Sequence, residues 1–238
     1  MIQNLHIFEN PEKLATQFAG QLMSWAENHS GDRFHLAISG GSTPNLLFSV
    51  LAEKYTNSPL WQKIHFWWVD ERMVPPDHSE SNYRVANNLL FSKVTILKEN
   101  IHRIKGENNP DEEAHSYSIQ IEDNLLQKNE WPAFDLILLG MGDDGHIASI
   151  FPDQMNLLES DQICAVTTHP VSGRKRVTLT GKVINNAAKI CFLVTGSGKA
   201  ERLTEISNYP DLARLLPASH ILNAEWFIDE SAKQIKPD

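Results

Sequence analysis

Residues 36–51, LAISGGSTPNLLFSVL, change within a few positions from a strand pattern to a helix pattern. An apolar run ends at Gly40 and Gly41, and a leucine-rich helical pattern follows. The glycines allow a tight turn, Thr43 is expected to cap the helix, and Pro44 suits its first turn because no N–H is needed there. A strand that turns directly into a helix is the repeating unit of parallel α/β proteins.

The same alternation of strand and helix patterns continues along most of the chain. Several strand patterns are apolar on both faces, which is typical of a sheet covered by helices on both sides. We therefore predict an α/β protein, a three-layer Rossmann-like sandwich with a mostly parallel sheet and helices on both faces, in one domain spanning residues 1–238. Strands are predicted at 35–40, 64–70, 134–141, 163–169, 176–180, 189–196 and 225–229, and helices at 11–28, 44–55, 81–90, 111–128 and 199–206.

Composition and charge narrow the class of protein. The chain has 238 residues, of which 41% are hydrophobic, and 21 Lys and Arg stand against 30 Asp and Glu, for a net charge of −9. This apolar content excludes a disordered or fibrous protein, and the negative charge disfavours nucleic-acid and membrane partners. Only two cysteines, and the lack of a signal-peptide pattern or a long apolar run, favour a soluble cytoplasmic protein.

An anionic ligand would need local positive charge in such an acidic chain, and the turn at 40–44 is the first candidate site. The amides of Gly41, Ser42 and Thr43 would lie at the positive end of a helix, where phosphates and carboxylates bind. An ordinary capped turn remains the alternative. The motif is neither a Walker A loop nor a GxGxxG fingerprint, so nucleotide binding is disfavoured.

A second group of charged residues follows the strand at 64–70. Asp70, Glu71 and Arg72 come directly after it, at the sheet edge where ligands gather in this architecture. Arg72 could bind an oxyanion through two N–H groups. The alternative is a solvated loop with an internal Asp70–Arg72 pair, and Ser81 is expected to cap the next helix.

The stretch 134–152, FDLILLGMGDDGHIASIFP, holds the candidate catalytic residue. His146 lies among glycines that allow close approach of the backbone, and Asp144 is near enough to fix the tautomer of its imidazole. Neutral imidazole can take a proton from water near pH 7, which favours a catalytic His146 over a structural one. Asp143 is interpreted as a solvated loop residue, and a short helical stretch is expected after His146.

Two basic segments complete the set of candidate ligand-binding residues. Arg174 and Arg176 are expected on the same face of a strand, and Lys199 follows the glycines of 196–198 at a helix start. A solvated charge run and an exposed helix start are the respective alternatives. Together with two helix N-termini these cations could hold a dianion, which predicts a phosphorylated small molecule as ligand.

The motifs SGGSTP, VDERMVPPDHSESNYR, GMGDDGHIASIFP, RVTLT and GSGKA, in this order, resemble those of the 6-phosphogluconolactonases. These belong to a superfamily with glucosamine-6-phosphate deaminase and ribose-5-phosphate isomerase, and the resemblance runs from about Leu36 to Trp226. The chain departs from the pattern at Asp143 and Ile147, where lactonases commonly show proline or serine and threonine, and it lacks the prolines often found before RVTLT.

The resemblance implies hydrolysis of 6-phospho-D-glucono-1,5-lactone to 6-phosphogluconate in the oxidative pentose phosphate pathway, without metal or organic cofactor, by a monomer or weak homo-oligomer. His146 would be the general base, Asp144 would orient it, and Arg72 would contact the substrate and stabilise the oxyanion. The substrate-binding residues would be Gly41, Ser42, Thr43, Asp70, Arg176 and Lys199.

Two other functions are considered. An amino-sugar-phosphate deaminase or isomerase shares the Asp-Gly-His loop but needs a glutamate five residues beyond the histidine, where this chain has Phe151. A non-enzymatic sugar-phosphate-binding domain of a transcription regulator would need a helix-turn-helix, for which a single α/β domain of this length leaves no room.

Overall fold

The computed structural model describes residue 2 and residues 4–233. The strands are β1 (Leu5–Phe8), β2 (Phe34–Ile38), β3 (Ile64–Trp68), β4 (Asp70–Arg72), β5 (Ile101–His102), β6 (Gln127–Lys128), β7 (Trp131–Pro132), β8 (Leu136–Leu139), β9 (Cys164–Thr168), β10 (Lys175–Leu179), β11 (Ile190–Val194) and β12 (Glu225–Asp229). The α-helices are α1 (Pro11–Asn28), α2 (Ser42–Lys54), α3 (Asn82–Ala86), α4 (Pro110–Asn124), α5 (Gly181–Asn185), α6 (Ala200–Asn208) and α7 (Pro210–Ala213).

The central sheet has seven strands in the order β1-β12-β11-β8-β2-β3-β5, and every pairing in it is parallel. All residues of β2, β3, β8 and β11 are buried, which explains why their sequences are apolar on both faces. The predicted fold class is therefore confirmed. None of the helices among the described residues is long and apolar enough to cross a membrane.

Two predicted strands lie outside the central sheet. Strands β9 and β10 pair antiparallel with each other, and β10 also pairs antiparallel with β4, which makes a separate three-stranded sheet. Because β4 continues from β3 after a single residue, this small sheet is attached at the carboxyl end of β3. It brings the residues of β4 and β10 to the edge where the central strands end.

The local predictions around the turns are confirmed in part. Ser81 caps α3, since its hydroxyl accepts a hydrogen bond from the amide of Arg84 (3.1 Å). The expectation that Thr43 caps α2 is wrong: the N-cap is Gly41, with a φ of +117° and no side-chain cap. The hydroxyl of Thr43 instead makes a hydrogen bond of 2.7 Å with that of Thr195. The amide groups at the start of α2 are therefore free of side-chain caps.

The helical stretch expected directly after His146 is also wrong. Residues 147–150 form a tight turn, in which the amide of Ile150 donates to the carbonyl of Ile147 (2.8 Å), and a 3-10 helix begins only at Pro152. The sequence does not predict strands β1, β5, β6 and β7, because β1 is half-exposed and the other three have only two residues each. The helix predicted at 111–128 ends at Asn124, and β6 follows it.

A cluster of histidines lies near the amino ends of three neighbouring strands, away from the edge that carries the cavity described below. The indole Nε1 of Trp67 donates to Nδ1 of His35 (3.1 Å), and His65 and His102 share a hydrogen bond of 3.0 Å between their rings. Burial lowers the pKa of His35 to about 3 and that of His102 to about 4, and the neighbouring His65 adds to both shifts. These rings are therefore neutral in the folded protein at neutral pH.

The histidine cluster predicts that the free energy of unfolding falls in mild acid. Above the ordinary pKa of histidine the ring is neutral in both the folded and the unfolded protein. Below it only the unfolded chain takes up a proton, until the pH reaches the low pKa that the ring has in the folded protein. For His35 alone, this lowers the free energy of unfolding by about 2 kcal/mol between about pH 7 and about pH 5. Urea unfolding at the two pH values measures it.

The variant His35→Gln keeps an acceptor for Trp67 but has no titrating ring, so its loss of stability on acidification should be smaller than that of the unchanged protein. His115→Gln, on the exposed face of α4, is the control and should keep the full loss. An equal loss in all three proteins would contradict the assignment.

Candidate active site

A cavity of about 210 Å³ opens at the carboxyl ends of the central strands. It gathers residues from five segments that are far apart in the sequence. Every predicted substrate-binding or catalytic residue except Asp144 lines it: Gly41, Ser42, Thr43, Asp70, Arg72, His146, Arg176 and Lys199. Ser39, Asn82, Gly140, Gly142 and Thr195 are among the other lining residues.

Asp144 lies behind His146 and holds its ring. The Oδ1 atom of Asp144 is 2.6 Å from Nδ1 of His146, and it also accepts the backbone N–H of His146 (3.1 Å). Because an ionised carboxylate can only accept, the neutral form of the ring carries its proton on Nδ1 and keeps its lone pair on Nε2. Burial would raise the pKa of Asp144, but the hydrogen bond and charge of His146 outweigh it and lower the pKa to about 2.

Glycines make this arrangement possible. A Cβ atom on Gly142 would lie 2.1 Å from Nδ1 of His146, and Gly145 has a φ of +81°. The amide of Gly142 donates to the carbonyl of His146 (2.9 Å), which closes the loop on itself. Side chains at either glycine would therefore move the imidazole or strain the turn.

The two arginines of the site come from adjacent strands. Arg72 on β4 and Arg176 on β10 are directly opposite in the antiparallel register, so both side chains leave the same face. The Nε atoms of both are buried, and neither has a hydrogen-bond partner among the described residues. Because both arginines also line the cavity, their guanidinium groups favour an anionic ligand there.

Asp70 pairs with Arg176, and the predicted Asp70–Arg72 alternative is not the arrangement found. Oδ2 of Asp70 accepts the hydroxyl of Ser149 (2.6 Å) and lies 3.6 Å from Nη1 of Arg176. That Nη1 also donates to the Ser149 hydroxyl (3.3 Å), and the guanidinium lies over the ring of Phe151. Asp70 and Ser149 thus fix the position of Arg176.

The remaining basic residues divide between the cavity and the surface. Lys199 lines the cavity, and its ammonium pairs with the carboxylate of Asp143. Arg174 does not share the cavity with Arg176: it precedes β10, and its Nε donates to the carboxylate of Glu80 (2.9 Å). The expectation that Arg174 and Arg176 act from one face is therefore not met.

Glu71 is an important residue that the sequence analysis left without a role. It is almost fully buried, and it accepts hydrogen bonds from the amides of Arg72, Asn82 and Tyr83 and from the hydroxyl of Ser81, all between 2.8 and 3.1 Å. Burial raises the pKa of its carboxyl group, and the amide hydrogen bonds oppose that shift. Glu71 therefore ties both ends of the 72–82 loop together beneath the cavity.

Among the described residues, no three His, Cys, Asp or Glu side chains lie close enough together to hold a metal ion.

Replacing Glu71 with glutamine should destabilise this loop. One carboxylate oxygen becomes an NH₂ group that faces backbone N–H donors, and the buried donors left unpaired should lower the free energy of unfolding by about 2 to 3 kcal/mol. Urea unfolding measures the loss, and limited proteolysis should cut the 73–81 segment faster. Glu80→Gln, an exposed carboxylate on the same loop, is the matched control and should change neither result strongly.

Comparisons with known proteins identify the family of this chain. A family model described as glucosamine-6-phosphate isomerases/6-phosphogluconolactonase matches residues 9–228. The chain is 41% identical over 231 residues to a 6-phosphogluconolactonase of Aggregatibacter actinomycetemcomitans, covering 94% of each protein. It is 43% identical over 206 residues to a 6-phosphogluconolactonase of Haemophilus influenzae, covering 84% of this chain and 87% of the relative.

A solved structure supports the same family. The crystal structure of a 6-phosphogluconolactonase from Thermotoga maritima matches with a TM-score of 0.82 and 30% identity, covering 95% of this chain and 99% of that chain. The extent of these matches confirms the resemblance found from the motifs. The chain belongs to the family of glucosamine-6-phosphate isomerases and 6-phosphogluconolactonases.

Proposed function

We propose that this protein hydrolyses 6-phospho-D-glucono-1,5-lactone to 6-phosphogluconate, with His146 as the general base. The curated relatives above carry the name of this activity. The observation that carries the mechanism is the 2.6 Å contact between Asp144 and Nδ1 of His146, which leaves the basic Nε2 available in a cavity that also holds two arginines and a lysine.

The chemistry begins with water. Nε2 of His146 takes a proton as the water oxygen bonds to the lactone carbonyl carbon, and Asp144 stabilises the imidazolium that forms. The developing oxyanion is assigned to Arg72, which lines the same cavity as His146. The bond from the carbonyl carbon to the ring oxygen then breaks, the imidazolium returns its proton to that oxygen, and the new carboxyl group ionises at neutral pH.

The substrate phosphate is assigned to the other half of the cavity. The amides at the start of α2, with the hydroxyl of Ser42, offer donors at the positive end of a helix of 13 residues. Lys199 and Arg176 supply positive charge beside them. A lactone is already prone to hydrolysis, so an anchored phosphate and one positioned base are sufficient chemistry.

Phe151 argues against the deaminase alternative. Its side chain occupies the position five residues beyond His146, is almost fully buried, and packs with its ring centroid 4.8 Å from that of His146. An apolar ring cannot supply the carboxylate that the deaminase reaction would need there.

Proton release after addition of freshly generated 6-phosphogluconolactone tests the function directly. We expect a rate well above spontaneous hydrolysis that EDTA leaves unchanged. Faster release of ammonia from glucosamine 6-phosphate than of protons from the lactone would favour the deaminase instead.

The variant His146→Ala tests the general base. It should lower kcat by about 10²- to 10⁴-fold while 6-phosphogluconate still binds, because the phosphate contacts remain. His169→Ala is the matched control, since this histidine also packs against the Phe151 ring (5.2 Å between centroids) but does not line the cavity, and the variant should keep most of the activity. Unchanged turnover in His146→Ala would remove the proposed base.

The variants Lys199→Ala and Arg176→Ala test the phosphate assignment. Both should mainly raise KM, because a phosphate remote from the reacting carbon is held alike in the ground state and the transition state. Lys182→Ala, which removes a surface lysine paired with Asp161, is the control. A large loss of kcat at unaltered KM would contradict the assignment.

A further inference from the structure

Lys199, which lines the cavity, is already paired with a carboxylate that the proposed reaction does not use. Its ammonium contacts Oδ1 of Asp143, three residues before His146. Asp143 does not line the cavity and its side chain is 81% exposed, whereas that of Lys199 is only 23% exposed. The pair therefore joins a cation in the cavity wall to an anion that stands mostly in water.

The backbone of Asp143 is held while its side chain can leave. Nε of Arg202, on α6, donates to the carbonyl of Asp143 (3.2 Å), and the neighbouring turn is closed by the hydrogen bond from the amide of Gly145 to the carbonyl of Gly142 (3.0 Å). Among the described residues, Lys199 is the one hydrogen-bond and ion-pair partner of this carboxylate. Rotation of one exposed side chain would therefore free Lys199 without moving the loop that carries His146.

Charge decides whether Asp143 or a bound phosphate pairs with Lys199. An exposed carboxylate gains little from such a pair, because water and salt screen it and the two side chains lose freedom. A phosphate dianion in the cavity carries more charge and would also use the free amides of α2 and the guanidinium groups of the arginines that line the cavity. The dianion should therefore displace Asp143, which is repelled towards the solvent that already surrounds it.

We propose that Asp143 is a displaceable counter-ion of Lys199 that sets how tightly the cavity binds phosphate. The inference rests on the proposed function in one respect, that the natural ligand carries a phosphate group. Without a ligand, the carboxylate of Asp143 holds the ammonium of Lys199 in place. When a phosphate binds, that carboxylate has to leave the ammonium. The carboxylate thus weakens phosphate binding and favours release of the phosphorylated product.

The test measures binding of inorganic phosphate by calorimetry at about pH 8, where the ion is largely dianionic. Asp143→Asn should bind phosphate about two- to fivefold more tightly than the unchanged protein, the range expected for loss of one exposed ion pair. Asp143→Glu keeps a carboxylate within reach of Lys199 and should bind as the unchanged protein does. A gain in affinity cannot come from damage to the fold.

Asp161→Asn is the matched control. Asp161 is also highly exposed and pairs with a lysine, Lys182 (2.5 Å), outside the cavity, so both variants remove one negative charge. Only Asp143→Asn should tighten phosphate binding. An equal gain in Asp161→Asn would assign the effect to net charge and overturn the proposal.

A double-mutant cycle separates the ion pair from simple repulsion. In a Lys199→Met background, Asp143→Asn should bring little or no gain, because there is no ammonium to release. The same gain with and without Lys199 would overturn the proposal, as would unchanged or weaker binding in Asp143→Asn. Phosphate binding needs no turnover, so a failure of lactone hydrolysis would refute the proposed function and leave this inference standing.

Discussion

The hydrogen bond between Nδ1 of His146 and Asp144 is the interaction on which the candidate site depends. It fixes one tautomer of the ring and leaves Nε2 as the basic atom beside the cavity. The two residues are separated by Gly145 alone, so the contact is built into a single turn and needs no tertiary partner. The turn itself requires glycine at 142 and 145, because a side chain would collide with the imidazole or strain the backbone.

Concentrated positive charge is the second requirement, since the chain as a whole has a net charge of −9. The fold meets it by attaching a small antiparallel sheet to the end of β3, which places Arg72 opposite Arg176. Asp70 and Ser149 hold Arg176 from below, and Asp143 balances Lys199 from outside. These cations are thus held in position before a ligand binds. Their charged groups remain available to the ligand, in the case of Lys199 after Asp143 has moved away.

The sequence was sufficient to predict the fold class and eight of the residues that line the cavity, because strand-to-helix turns with glycines carry a strong local signal. It could not reveal the contacts made across long distances. The sequence around Glu71 is that of a solvated loop, whereas in the fold four donors from residues 72 and 81–83 surround its carboxylate. The partners of Asp143 and Arg174 likewise lie 56 and 94 residues away (199 − 143 and 174 − 80), beyond any local pattern.

Nitrogen NMR of the His146 ring, assigned by comparison with His146→Ala, tests the central claim most directly. The account predicts that the neutral form of the ring carries its proton on Nδ1, and that the Nε2 signal changes when 6-phosphogluconate binds. A ring that carries its proton on Nε2, or an Nε2 signal that product binding leaves unaltered, would contradict the account, because the base would then be blocked or would lie outside the ligand site.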